Sequence, residues 1–334
     1  MKKLAVTIIA IVVLFCGAGF FYASKSYSSS ESVRIFVPKD ATDSSLRDTL
    51  ISGLGEYGGR VFSLWKVLGG DVNKSKGSYV IAPGEKAYKI ANRIAKGRQT
   101  PVKVTVNVAR TFDDLTNAIA SKIEATPAEI SSAMDSVLSR EPEFGKKYRY
   151  TAAVVPDTYE MYWNTPAGEV VKSLVGWRDK FWTEERMAKA KKIGLTPVEV
   201  TTLASIVEEE SNKTDEQPVI ARLYLNRIKI GMKLQADPTV KFAVGDFSLR
   251  RIGAPHLAID SPYNTYKIKG LPPGPIRVPQ KATVDAVLNA PENTYLYMCA
   301  KEDFSGYHNF TSDYSTHRQN ARRYQEALNK RGIK

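Results

Sequence analysis

The feature that most constrains this chain is a run from Leu4 to Tyr22 (LAVTIIAIVVLFCGAGFFY) that carries no charge. Such a run has about the ~20 residues that a helix needs to cross a bilayer core. It follows Lys2 and Lys3 at the chain start, the order of a short basic region before an apolar stretch in a signal or signal-anchor. Charge bias across the run is weak, because Lys25, Arg34 and Lys39 follow it, so orientation is read mainly from position. Phe20, Phe21 and Tyr22 crowd the place where a small-x-small cleavage site would be cleanest, which favours an uncleaved anchor, although Cys16-Gly17-Ala18 is a passable site. Phe15 before Cys16 argues against a lipidated cysteine. The expectation is residues 1–3 in the cytoplasm, 4–22 in a membrane, and the bulk of the chain outside the cytoplasm.

The rest reads as an ordinary folded chain of 334 residues, 43% hydrophobic and 25% charged, which excludes a collagen, a mainly disordered protein and a multi-span membrane protein. Cys16 and Cys299 cannot build a disulfide scaffold and make no CxxC pair. His256, His308 and His317 make no HExxH or HxxxH pair, so no metal and no other cofactor is expected, and any chemistry falls to carboxylates. Beyond residue 25 the chain has 45 basic against 35 acidic residues, a net +10. Outside a membrane that charge suits anionic wall polymers or lipid headgroups. With no basic run of five or more, nucleic acid is not expected as a partner.

The fold class expected is α+β. Residues 23–32, with SYSSSES, read as a polar linker. Residues 33–98 read as a small strand and helix module: strands at VRIFVP and GSYVIAP, helices at Asp43–Gly53 and Glu85–Lys96. Residues 99–150 connect, with a strand at Pro101–Val108 and helices capped by Thr111 and opened by Pro127. Residues 151–334 are helix-rich and mixed. They hold one helix over Ala167–Ile193, a helix opened by the capping box Thr196-Pro197-Val198-Glu199, a strand at Thr294–Ala300, and a last helix from Asp313 or Ser315 to Lys330.

The capped helix, TPVEVTTLASIVEEES, ends in Glu208, Glu209 and Glu210. With Leu203 at zero and about 100° per residue, Val200, Ile206 and Val207 define an apolar arc within about 60° of it. Glu210 falls near −20°, inside the arc, while Glu208 near +140° and Glu209 near −120° read as solvated. A carboxyl among apolar neighbours has a raised pKa and can carry a proton at neutral pH, as a general acid must. The pattern is that of the acid of lysozyme, a standard case of such tuning. The competing reading is a buried Glu210 paired with Arg222 or Arg227.

LASIVEEES, LYLNRIKIGMKLQADPTV (Leu223–Val240) and SPYNTYKIKGLPPGPI (Ser261–Ile276) resemble segments of the endolytic murein transglycosylase family, the YceG-like proteins. The likeness extends to Val155-Pro156-Asp157-Thr158-Tyr159, TYLYMCA and Tyr307–Phe310, and covers roughly the last 180 residues. More loosely, residues 33–98 resemble the LysM-like subdomain of that family. The resemblance implies a single-pass enzyme of the bacterial inner membrane, a lyase that cuts nascent peptidoglycan glycan strands internally and leaves 1,6-anhydroMurNAc ends. It implies peptidoglycan synthases as partners. It also puts the essential acid, the last glutamate of the family's IVExE-S/T motif, on Glu210, with Glu208 as the alternative. Where that family often has lysine this chain has Glu209, so like-charge crowding is expected to raise the pKa of Glu210 further.

A lytic reaction consumes no water and needs no second carboxylate; if one existed, Asp237 would be the candidate, against its reading as a helix N-cap before Pro238. Ser211, Asn226, Gln235, Asp237, Tyr263, Asn264 and Tyr266 are the expected sugar-binding residues, each with a turn or core role as the alternative. GLPPGPI is expected to wall the cleft. His308 reads as a strand or core histidine, and Trp163, Trp177 and Trp182 as packing. A non-catalytic wall-binding scaffold and a hydrolase giving reducing MurNAc ends are the competing functions.

Overall fold

A computed structural model describes residues 2–107, 109–249 and 251–332, with residues 2–6, 12, 13, 15 and 16 described for their backbone alone. The chain divides into two compact units, the first mainly residues 1–104 and the second mainly residues 105–119, 127–158 and 167–334.

In the first unit, helix α1 (Lys2–Ser24) takes in the whole apolar run. Among the described residues, no helix is long and apolar enough to cross a membrane; part of the run lies outside the described side chains. Strand β1 (Val33–Val37), helices α2 (Asp43–Leu54), α3 (Glu56–Val67) and α4 (Val72–Ser75), strand β2 (Gly77–Ile81) and helix α5 (Ala87–Ala95) follow. The strands pair antiparallel, Val33 opposite Ile81 and Val37 opposite Gly77. Alternation turns Ile35, Val37, Tyr79 and Ile81 onto a core shared with Leu46, Leu50, Trp65, Ile90 and Ile94. The expected linker is a docked strap instead: Tyr27 exchanges backbone bonds with Gly84 and Glu85 at 2.8 and 2.9 Å, and its ring lies 5.3 Å from that of Tyr57. Helix α3 was not legible, because Gly58 and Gly59 interrupt its pattern. Gly58 is there because a Cβ on it would lie 2.0 Å from the Leu50 carbonyl oxygen of α2.

Strand β3 (Val102–Val106) leads on, and helices α6 (Phe112–Ala120) and α7 (Pro127–Leu138), a 3-10 turn (Lys147–Ala153) and strand β4 (Asp157–Met161) follow; β3 and β4 form a two-stranded sheet. Thr111 and Asp114 cap α6 reciprocally, Asp114 N–H to Thr111 Oγ1 at 3.0 Å and Thr111 N–H to Asp114 Oδ2 at 2.9 Å. The single helix expected over Ala167–Ile193 is two, α8 (Ala167–Phe181) and α9 (Glu184–Lys192). Thr183 accepts from Arg186 N–H and starts a new helix there, while the buried Trp182 joins the core of the second unit.

That core surrounds helix α10 (Pro197–Glu210), in which Val198 and every residue from Val200 to Glu208 are buried. Its capping box forms as read: Glu199 N–H donates to Thr196 Oγ1 at 3.3 Å, and Thr196 N–H to Glu199 Oε2 at 2.8 Å. Buried hydroxyls of Thr201, Thr202 and Ser205 donate to carbonyls of the same helix, so α10 can be enclosed on all sides without orphaned donors. Helices α11 (Gln217–Lys229), α12 (Asp237–Val244), the short α13 (Ala254–Leu257) and α14 (Lys281–Leu288), the antiparallel pair β5 (Tyr297–Ala300) and β6 (His308–Thr311), and α15 (Tyr314–Lys330) complete the unit.

Because backbone, not a mobile side chain, meets the added methyl, Gly58→Ala is expected to cost about 2 kcal/mol or more. Chemical denaturation of the full chain checks this; an unchanged first-unit transition would contradict the close crossing of α2 and α3.

Candidate active site

The three glutamates that end α10 have three different surroundings. Glu208, read as solvated, is buried: its Oε2 accepts the Gln280 N–H at 2.6 Å and the Thr283 hydroxyl at 2.9 Å, and its Oε1 lies 3.1 Å from Arg277 Nη2. Glu209 pairs with Arg277 at 2.7 Å and with Arg110 at 3.3 Å. Both carboxyl groups are thus taken up by guanidinium partners.

Glu210 differs. Among the described residues it makes no ion pair; its Oε1 accepts the Tyr224 hydroxyl at 2.6 Å. The alternative pairing with arginine does not occur. Arg222 is bound to Ala290 and Pro291 carbonyls and to Glu292. Arg227 donates to the Leu234 carbonyl and, at 2.7 Å, to the Leu296 carbonyl. Burial pushes the Glu210 carboxyl up to about 7, with the Tyr224 hydrogen bond acting the other way, the Asp237 charge adding to the rise, and Arg227 and Lys241 opposing it. The like charge that matters is therefore Asp237, not the adjacent glutamates. Tyr224 in turn is held well above its ordinary value, first by burial and then by the Glu210 charge, so its hydroxyl stays a donor.

Asp237 and Tyr266 form a second pair, the Tyr266 hydroxyl donating to Asp237 Oδ1 at 2.6 Å. Asp237 is the first residue of α12 rather than its N-cap, which is Ala236, and its carboxylate is spent on Tyr266 instead of a helix N–H. Thr265 delivers both: its carbonyl accepts Gln235 N–H at 3.1 Å and its hydroxyl accepts Ala236 N–H at 3.0 Å. Gln235 sits exposed with φ 51°, a left-handed conformation costly for a residue with a Cβ and a mark of functional sites when the surroundings enforce it.

The other expected sugar-binding residues have partners within the protein. Asn264 is fully buried, its amide donating to the Leu257 and Ile259 carbonyls while its oxygen accepts Tyr266 N–H, so it shapes the loop that presents Tyr266. Tyr263 packs 4.6 Å from the Phe242 ring in the core. Asn226 ties down Asn293 and Tyr295, and two residues on from Tyr224 it faces the far side of α11. Ser211 is buried at the C-cap of α10, donating to Glu216, whose carboxylate also accepts from His308 N–H at 2.7 Å and lies 2.8 Å from His308 Nδ1. His308 is thus a strand residue in a buried pair. The GLPPGPI loop runs along α10, with Ile276 N–H donating to Ser205 at 3.0 Å, and Gly274 presses on Tyr148, where a Cβ would lie 2.1 Å from the carbonyl oxygen.

Tyr224, Thr265, Arg277 and Glu216 were not singled out from sequence. Tyr224 stands in LYLNRIKIG, but nothing local ties it to a carboxyl fourteen residues earlier. Among the described residues no group of three His, Cys, Asp or Glu could hold a metal. What the arrangement offers is one carboxyl that can both give and take a proton near neutrality, beside an ionisable Asp237 and two phenols.

A folded-state pKa raised from 4.5 to about 7 means that folding disfavours the Glu210 carboxylate. The cost is absent below the unfolded pKa and complete above the folded one. Glu210→Gln keeps an acceptor for Tyr224, so it should stabilise the protein by about 1–3 kcal/mol at pH 8 and by nearly nothing at pH 4. Paired denaturation curves read this; equal curves at pH 8 would contradict the buried, proton-hungry site.

The profile of the YceG-like family matches residues 35–323. A Bacillus subtilis protein named endolytic murein transglycosylase is 26% identical, over 95% of this chain and 93% of its own length. A relative of the same name from Streptococcus pneumoniae is 24% identical over 90% of this chain, which spans 61% of that longer protein. In fold, the chain is similar to a YceG-like protein of Listeria monocytogenes, with TM-score 0.57, 24% identity, and coverage of 87% of this chain and 99% of the other. With that family profile running over most of its length, the chain belongs to the YceG-like family.

Proposed function

We propose that this protein is an endolytic lytic transglycosylase of peptidoglycan, a lyase that uses Glu210 as both acid and base. The observation that carries the reading is the Glu210 carboxyl itself, held by one phenol and, among the described residues, by no cation, with its pKa raised to about 7. The names of the Bacillus and Streptococcus relatives support the substrate class.

In the proposed reaction Glu210 gives its proton to the oxygen between MurNAc and GlcNAc as the C1–O bond breaks. The carboxylate then accepts the proton of the MurNAc C6 hydroxyl as that oxygen bonds to C1, which closes the 1,6-anhydro ring and returns Glu210 to its starting state. No water enters. Asp237, bridged by Tyr266, places its carboxyl group near an oxocarbenium-like C1, and the exposed Gln235 and half-buried Tyr266 offer hydrogen bonds to sugar hydroxyl or acetamide groups.

The wider setting is part of the same proposal. The uncharged run Leu4–Tyr22, continuous as α1, supports a single-pass anchor in the inner membrane with the chain beyond it outside the cytoplasm. The net +10 beyond residue 25 suits an anionic wall. The module at 33–98 is proposed to be LysM-like and to tether glycan, and peptidoglycan synthases are proposed as partners that supply nascent strands.

Incubating the protein with uncrosslinked peptidoglycan and weighing the glycan ends tests the chemistry. We expect 1,6-anhydroMurNAc ends, and a loss of about 10³-fold or more in Glu210→Gln; reducing ends would make it a hydrolase. Activity should fall as pH rises through about 7, where Glu210 loses its proton. Since the Tyr224 hydrogen bond lowers the Glu210 pKa, Tyr224→Phe should move that alkaline limb to higher pH. A limb that stays in place would show that another group sets it.

A further inference from the structure

One face of the second unit carries three aromatic rings that the proposed chemistry does not use. Tyr297 on β5 stacks on His317 of α15, centroids 5.3 Å apart and planes at 22°, and lies 5.4 Å from Tyr314. Tyr314 and His317 are three residues apart on α15, so they share a helix face, with centroids 6.1 Å apart. Core packing does not account for the group: Tyr314 is 58% exposed, and Tyr297 and His317 are partly exposed. His317 Nδ1 is buried without a hydrogen-bond partner, a rare condition for a polar atom.

The rings adjoin the reactive carboxyl through α11. Tyr224, bonded to Glu210, and Arg227 are one helical turn apart on one face of that helix. The Arg227 guanidinium lies 5.8 Å from the Tyr297 ring centroid and binds the neighbouring Leu296 carbonyl. Its charge is felt by both Glu210 and His317, and with burial it keeps the imidazole on the neutral side. One turn of α11 and one ring contact thus separate the carboxyl from the cluster. A neutral, amphipathic ring surface fits the apolar C–H face of a pyranose, with phenol hydroxyls to meet its polar rim.

We infer that Tyr297, Tyr314 and His317 form a stacking platform for the glycan strand beyond the cleaved bond, a subsite that would favour long strands and internal cuts. The inference rests on the transglycosylase reading of Glu210.

The test uses the full chain carrying Glu210→Gln, which should bind without cutting, and uncrosslinked glycan strands of several disaccharides as the probe in calorimetry. Adding Tyr314→Ala should weaken binding about 3- to 10-fold, and Tyr314→Trp should preserve it. In the active chain, Tyr314→Ala should raise KM for long strands more than it lowers kcat and shift product lengths, while the ends remain anhydro. Equal affinity with and without the Tyr314 ring would overturn the platform. Reducing ends from the unaltered protein, with the ring still needed for binding, would overturn the lyase chemistry and leave the platform standing.

Discussion

A single hydrogen bond, from the Tyr224 hydroxyl to Glu210 at 2.6 Å, organises what this protein can do. It joins the end of α10 to the middle of α11 inside the core of the second unit, where a carboxylate is poorly solvated. An arginine at the same place would hold Glu210 ionised and remove its use as an acid. A phenol holds the carboxyl in position in either protonation state and leaves it free to exchange a proton.

The two preceding glutamates make the contrast concrete, since chain position alone separates them from Glu210. Glu208 closes the N-terminus of α14 and Glu209 sits between two guanidinium groups, so the cations of Arg277 and Arg110 are drawn to the helix end without reaching the third carboxyl. The result is three adjacent acids with three surroundings: a helix end, a pair of guanidinium groups and a single phenol. Enclosing α10 demands that every polar side chain on it be satisfied, which its Thr and Ser hydroxyls do internally, Arg277 does for Glu208 and Glu209, and Tyr224 does for Glu210.

Much of this was legible. The capping box at Thr196 and the angular position of Glu210 follow from helix geometry over a few residues, and the strands at 33–37 and 77–81 from alternation. The failures share a physical cause, which is that the deciding partner is distant in sequence. Glu208 and Glu209 read as solvated because their cations are distant in sequence, those of Glu209 standing 68 and 99 residues away. Asp237 before proline has the local look of a cap, yet Tyr266, in another loop, claims it. Asn264 and Tyr263 fall in the right segment but face inward, shaping the loop that presents Tyr266. The break between α8 and α9 was hidden because helix-favouring residues continue through it, and the strap at Ser26–Tyr27 because its bonds are made by backbone.

The central claim is that the Glu210 carboxyl remains substantially protonated at neutral pH. The direct measurement is carbon-13 NMR titration of glutamate side-chain carboxyls in the full chain, with Glu210→Gln assigning the resonance. The account predicts one carboxyl, absent from the variant, that titrates near pH 7. A Glu210 resonance titrating near 4.5, with the bulk of the glutamates, would contradict it.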